Sequence, residues 1–113
     1  LSTAVTEHLP ITILLMNNRA LGMVRQWQKL FYQNRFSQTD IRKKTDYVKF
    51  AESFGAKGLR IEKEEDIMPV LREALATPSP VVVDCRISND ENVLPMIRPG
   101  ATYDTIITDW EDR

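Results

Sequence analysis

A chain of 113 residues with 42% apolar content is sized for one domain with one modest core. Fifteen basic residues against 16 acidic ones leave a net charge of −1, so no electrostatic surplus recruits nucleic acid or an anionic membrane. The longest apolar stretch, residues 9–16, is far too short to span a bilayer, and neither end carries a secretory signal. A single cysteine, Cys85, excludes an internal disulfide and suits a reducing, cytoplasmic setting. Its place in an apolar run predicts a small buried hydrophobe, not a nucleophile.

Residues 1–8 read as the end of an amphipathic helix, with Leu1, Ala4, Val5 and His8 on one stripe and Pro10 closing it. Opening in mid-helix without an initiator Met, the chain is expected to be a fragment of a longer protein. His8, the only histidine, is expected to act as a cation partner for the helix end. Ile11-Thr12-Ile13-Leu14-Leu15-Met16 is an apolar run of the kind found in parallel strands covered on both faces, and it leads into Asn17-Asn18. Over residues 21–32, Met23, Trp27, Leu30 and Phe31 recur at i, i+4, i+7 and i+8, which predicts a helix. Residues 33–45, with Arg35, Arg42, Lys43 and Lys44, read as a solvated loop.

Asp46 is a good N-cap for a helix over 47–54, with Tyr47, Phe50, Ala51 and Phe54 as its apolar stripe and Gly55 at the C′ position. Residues 57–61 are short and alternating, as in a strand nearer an edge. Residues 64–76 align Ile67, Val70, Leu71, Ala74 and Leu75 behind an acidic first turn, while Pro69 moves the expected start toward Asp66. Residues 80–87 form a second continuous apolar strand. Residues 88–113 contain Leu94-Pro95-Met96-Ile97-Arg98-Pro99-Gly100-Ala101, too apolar for a free tail and too proline-rich for a helix; the segment should dock on something.

The alternation predicts an α/β fold: three layers, with a mainly parallel sheet between flanking helices over residues 1–87 and an irregular covering segment over 88–113. Ligands in such sheets bind beyond the carboxyl ends of the strands, where Asn17-Asn18 falls. A carboxamide delivered to a tight loop and followed by a helix can offer a neutral oxygen to a hard cation, pointing to a magnesium–diphosphate site. Such a site also needs an anionic ligand, and no Asp or Glu directly precedes this strand. Taken alone, the pair reads first as an ordinary turn, and Met23 and Trp27, one helical turn apart, read first as core.

The combination is more specific. Asn17-Asn18-Arg19-Ala20-Leu21-Gly22-Met23-Val24-Arg25-Gln26-Trp27-Gln28 with Leu30-Phe31-Tyr32 resembles the thiamine-diphosphate domain of the acetohydroxyacid synthase (acetolactate synthase) family. So do Asp46-Tyr47-Val48-Lys49-Phe50-Ala51-Glu52, Gly58-Leu59-Arg60, Pro80-Val81-Val82 and Asn92-Val93-Leu94-Pro95-Met96-Ile97, so that the likeness runs to about Gly100. The resemblance implies the C-terminal part of that domain from a large subunit. It places Asn18, Ala20, Gly22 and Met23 beside thiamine diphosphate, with the Asn18 side chain and the Ala20 backbone carbonyl as Mg²⁺ ligands and Asn17 shaping the loop. Met23, Val24 and Trp27 would line the substrate channel, with Trp27 favouring 2-ketobutyrate over pyruvate as acceptor.

The family's Gly-Asp-Gly half of the motif, its cofactor-activating glutamate and its FAD-binding residues would then lie outside this chain. The parent would condense pyruvate with a second 2-keto acid in branched-chain amino acid synthesis. It would work as a homodimer or higher homo-oligomer, with a small regulatory subunit as a further partner. No catalytic acid or base is expected among these residues: Asp40, Asp46 and Asp84 read as loop, cap and strand-end positions, and the chain alone should be inactive. Two alternatives stand beside this reading. One is another thiamine-diphosphate enzyme (pyruvate oxidase, glyoxylate carboligase or a keto-acid decarboxylase). The other is a non-catalytic α/β interaction module with Met23, Trp27 and Met96 as an adhesive patch.

Overall fold

The computed structural model describes residues 1–41 and 45–109; Arg42, Lys43 and Lys44 of the basic loop, and residues 110–113, lie outside the described residues. The elements follow in the order α1 (Ser2–Thr6), β1 (Thr12–Asn17), α2 (Gly22–Phe31), α3 (Tyr47–Ser53), β2 (Lys57–Ile61), α4 (Glu64–Ala76) and β3 (Val81–Arg86), with a 3-10 turn at Tyr103–Thr105. The three strands form a parallel sheet in the order β1-β3-β2. Helices cover both faces, so the predicted three-layer α/β architecture is borne out.

β3 is the centre of the core because it alone has a strand on each side. Val81, Val82, Val83, Asp84 and Cys85 are all buried, and each fully buried valine is worth about 1.5–3 kcal/mol relative to exposure. The strand alternation divides them between the layers. Val81, Val83 and Cys85 pack with Leu59, Ile61, Val70 and Ala74 under α4. Val82 faces the other way, against Ala51 and Ala56 with Leu1 and Val5, beneath α3 and α1. α3 lies so close to β2 that a methyl group on Gly58 would sit 2.6 Å from the Val48 carbonyl oxygen.

β1 departs from expectation. Its run predicts cover on both faces, but it lies at the sheet edge, with Ile13, Leu14 and Met16 41%, 44% and 59% exposed. β2, the alternating strand, is the other edge, as its pattern predicts.

The helices also differ in detail. α1 stops at Thr6, and His8 takes a left-handed conformation (φ 52°) just beyond the cap residue Glu7, leaving the apolar stripe on which it was expected. α4 begins at Glu64, not Asp66. The Asp66 carboxylate reaches back to accept the Glu62 and Lys63 N–H groups, at 3.3 and 3.2 Å, and anchors the first turn two residues earlier despite Pro69. In α3 the side chain in the core is Ala51, while Phe50 and Phe54 stay half exposed and meet edge to face at 5.1 Å. Leu75 likewise points out of α4, 76% exposed.

Asp46 is the N-cap of α3, accepting from Val48 N–H at 3.1 Å and Lys49 N–H at 3.4 Å, and its carboxylate also meets Arg60 Nη2 at 2.8 Å. Partial burial pushes this carboxyl up, but the two backbone donors and the guanidinium outweigh it and hold it below its ordinary 3.8. A depressed folded-state value means that the stabilisation is complete above 3.8 and is lost as pH falls through the folded-state value below it. Asp46→Asn keeps an oxygen for the cap but removes the charge. Its melting temperature should lie below wild type at neutral pH, with the gap closing as pH drops below 3.8. A gap independent of pH would sink this assignment.

Candidate cofactor and metal site

The parallel sheet carries the Asn17-Asn18 pair to its carboxyl end, where the chain turns sharply into α2. The Asn17 side-chain oxygen accepts the Arg19 N–H at 3.0 Å, and the Asn18 side-chain oxygen accepts the Ala20 N–H at 3.0 Å. These are two consecutive Asx turns, and Arg19 between them adopts φ 57°. The loop is then zipped to residues 39–41: Leu21 N–H donates to the Thr39 carbonyl at 2.9 Å and Ile41 N–H to the Arg19 carbonyl at 3.0 Å, with Ala20 opposite Asp40. Those two bonds use the Leu21 N–H and the Arg19 carbonyl, not the Ala20 carbonyl. Gln28 of α2 fastens the far side of the loop, through the Ser37 backbone and the Thr39 hydroxyl.

Gly22 opens α2 against Asn18. A methyl group there would lie 2.8 Å from Asn18 Nδ2, so a larger residue would push that carboxamide out of its place beside the helix start. The first turn of α2 has no acidic residue and no side-chain cap. Its N–H groups and the positive end of the helix dipole suit an anion such as a diphosphate. The donors beside it, Asn18 Oδ1 and the Ala20 carbonyl, are hard neutral oxygens of the type magnesium accepts. Among the described residues no group of three His, Cys, Asp or Glu side chains gathers to hold a metal. The carboxamide turn and the helix start therefore fit part of a magnesium–diphosphate site.

One face of α2 borders an open groove of about 620 Å³ lined by Met23, Val24, Trp27, Gln28, Tyr32 and Arg35. This size suits a small-molecule site. Met23 and Trp27 are 49% and 39% exposed, which rules out the core reading of this pair within the chain. Phe31 buttresses the indole edge to face, with centroids 5.7 Å apart.

The buried side chain of α2 is polar. Gln26 donates to the Val93 carbonyl and accepts the Val93 N–H, both at 2.8 Å, and its amide nitrogen approaches Met96 Sδ at 3.6 Å. Arg25 adds the Asn89 carbonyl and Asp90, Lys29 meets Asp90, and Arg98 reaches over the Phe31 ring. Residues 88–109 therefore do dock, and their anchor is α2. Met96 and Ile107 pair through two backbone hydrogen bonds and are both buried, which closes the irregular segment on itself. The docking role of Gln26 has no local signal in the sequence.

Asp84 is the largest correction. It is not a strand-end residue but the fourth of six residues in β3, and it is fully buried. Asn17 Nδ2 donates to its Oδ1 at 2.6 Å, while Arg60 Nε and Arg86 Nη2 meet Oδ2 at 3.1 and 2.9 Å. Parallel register sets Arg60 beside Asp84, and alternation returns Arg86 and Asn17 to the same face. A charge inside the run Val81-Val82-Val83-Asp84-Cys85 was the available signal, because a buried carboxylate requires partners. Cys85 next to it is buried as predicted. Burial raises its thiol above the usual range and the Asp84 charge adds to the shift, which is the reverse of an activated nucleophile.

With this geometry in hand, comparison with known proteins defines the class first. Residues 1–85 match the family model described as thiamine pyrophosphate enzyme, C-terminal TPP binding domain, and the chain belongs to that family. A thiamine diphosphate-dependent 4-hydroxybenzoylformate decarboxylase from Rhodococcus jostii RHA1 superimposes with a TM-score of 0.71 at 26% identity, over 80% of this chain and 17% of that one. Within the class, similar curated relatives include acetolactate synthases. The Mycobacterium leprae enzyme is 48% identical over 111 residues, covering 94% of this chain, and the mitochondrial catalytic subunit of Saccharomyces cerevisiae is 41% identical over 107 residues, covering 95%. The resemblance read from the residues is thus borne out. The chain spans only 18% and 15% of these two relatives' lengths. Among the described residues no helix is long and apolar enough to cross a membrane.

Proposed function

We propose that this chain supplies the metal-binding turn and the acceptor wall of the cofactor site in an acetolactate synthase large subunit. The parent activity is condensation of pyruvate with a second 2-keto acid, for branched-chain amino acid synthesis. The observation that carries the reading is the Asn18–Ala20 turn, delivered by a parallel strand to the uncapped N-terminus of α2, in a chain 48% identical to an acetolactate synthase. Asn18 through its side-chain oxygen and Ala20 through its carbonyl hold Mg²⁺, and Gly22 and Met23 open the helix beside the diphosphate. Thiamine diphosphate supplies the carbanion-stabilising chemistry when bound. The residues of this chain bind, orient and shape; none is assigned as a proton donor or acceptor. FAD, in this reading, binds elsewhere in the parent.

Met23, Val24 and Trp27 form the wall against which the second keto acid is selected. The homo-oligomeric assembly, the small regulatory subunit and a cytoplasmic location belong to the same proposal. The exposed apolar residues of β1 and α2 are surface that further structure has to cover.

Acceptor choice in the full-length protein tests the reading. A flat indole wall rewards one extra methylene by about 1–3 kcal/mol, or roughly 5- to 150-fold. Trp27→Leu should therefore lower the ratio of acetohydroxybutyrate to acetolactate, formed from mixed 2-ketobutyrate and pyruvate, by at least about fivefold. An unchanged ratio would favour another thiamine-diphosphate enzyme, such as a keto-acid decarboxylase like the structural neighbour, whose 26% identity ranks it second.

A further inference from the structure

The turn that offers Asn18 is held from beneath by a buried charge that lies 67 residues away in the chain. Resting on the cofactor reading above, we propose that Asp84 is a positioning residue for the metal-binding turn, acting through the side chain of Asn17. Asn17 is only 7% exposed and its carboxamide has two roles at once. Its nitrogen donates to Asp84 Oδ1 at 2.6 Å, and its oxygen accepts the Arg19 N–H at 3.0 Å.

The polarity of that amide decides the turn. A carboxylate only accepts hydrogen bonds, so the side facing Asp84 has to be the NH₂ group. The oxygen is then directed at Arg19 N–H, where it supports a residue held at φ 57° and fixes the chain on both sides of Asn18. Arg60 and Arg86, both on Oδ2, hold the carboxylate from the opposite side and leave Oδ1 to Asn17. Arg60 is tied in turn to Asp46 at 2.8 Å, so the N-terminus of α3 also braces the carboxylate that aims the turn. Ile87 N–H, which donates to the Asn17 carbonyl at 3.2 Å, locks the strand end in the same register. Outer partners that orient metal ligands in this way are commonly worth 10- to 100-fold in metal affinity.

The experiment measures Mn²⁺, as a probe for Mg²⁺, by electron paramagnetic resonance in the full-length protein that carries this chain, at saturating thiamine diphosphate. Asn17→Ser keeps an oxygen able to accept from Arg19 N–H but cannot reach Asp84. Asn17→Ala loses both bonds. Asn18→Ala removes the proposed ligand. Thermal melts without metal check that each variant folds. The dissociation constant for Mn²⁺ should rise about tenfold or more in Asn17→Ser, and at least as far in Asn17→Ala. Wild-type affinity in folded Asn17→Ser, with weakened binding in Asn18→Ala, overturns the positioning role and leaves the site standing. Wild-type affinity in Asn18→Ala overturns the site itself. If the Asn17 variants do not melt cooperatively, Asp84→Asn probes the link from the other end: its NH₂ group must face either the two guanidinium groups or Asn17. Unchanged Mn²⁺ affinity there overturns the proposal equally.

Discussion

Asp84→Ala should lower the free energy of unfolding by about 3 kcal/mol. The carboxylate is fully buried and satisfies three donors, from Asn17, Arg60 and Arg86. Removing it leaves a buried amide nitrogen without an acceptor and two guanidinium groups without their shared counter-charge. Loss of one member of a buried ion pair costs about 3–5 kcal/mol. The lower figure applies because the Arg60 and Arg86 side chains keep 30% and 17% exposure, through which water recovers part of the loss. Chemical denaturation of the wild-type and variant proteins measures the difference. A loss below about 1 kcal/mol, the ordinary size for a point substitution, would show that the cluster is not the electrostatic centre of the fold. Replacing Asp84 together with both arginines by apolar residues of similar volume should cost far less than Asp84→Ala alone, since desolvation of the charges is then removed with their attraction.

Gly58→Ala should cost about 2–3 kcal/mol, although it adds only one methyl group. That methyl would lie 2.6 Å from the Val48 carbonyl oxygen, 2.9 Å from Val48 Cα and 2.8 Å from Val48 Cγ1. Two of these atoms are backbone and cannot move aside by a change of rotamer, so α3 as a whole must lift from β2. The displacement reaches beyond packing: α3 carries Asp46 at its start, and Asp46 holds Arg60 against Asp84. Gly58→Ala should therefore weaken the charge cluster as well as the core. The two substitutions should be non-additive in a double-mutant cycle, because they act on one network. Denaturant midpoints provide the readout, and a change within about 0.5 kcal/mol would mean that α3 sits more loosely on β2 than these distances state.

Much of the fold was legible because its signals are local. Alternation marked residues 57–61, the acidic first turn marked residues 64–76, and Asp46 with Gly55 bracketed a short helix. Each depends on neighbours within one turn or one pleat. The same locality explains the misreadings. Phe50, Phe54 and Leu75 have core chemistry at core spacing, but the neighbouring alanines take the core positions: Ala51 against Val82 under α3, and Ala74 against the Val81 and Val83 face under α4. An apolar run such as residues 11–16 states what a strand can be buried against, not what stands beside it, and β1 has only β3 for a neighbour.

The candidate site divides in the same way. The Asn17-Asn18 pair, Gly22 and the indole of Trp27 could be picked out in one dimension, since turn, helix start and groove wall all fall within 11 residues of each other. Gln26 could not, and of Asp84 only its need for partners could. Their partners, Val93 and Asn17, lie 67 residues distant in each case, and a polar residue facing the core is interpretable only once its partner is known. From its residues alone this chain declared an alternating α/β class, a carboxamide turn at a strand end and its family resemblance. Only the tertiary structure decided what holds that turn in place. The reason is physical: register and crossover brought one buried carboxylate beneath Asn17, and no local pattern encodes a contact made across the sheet.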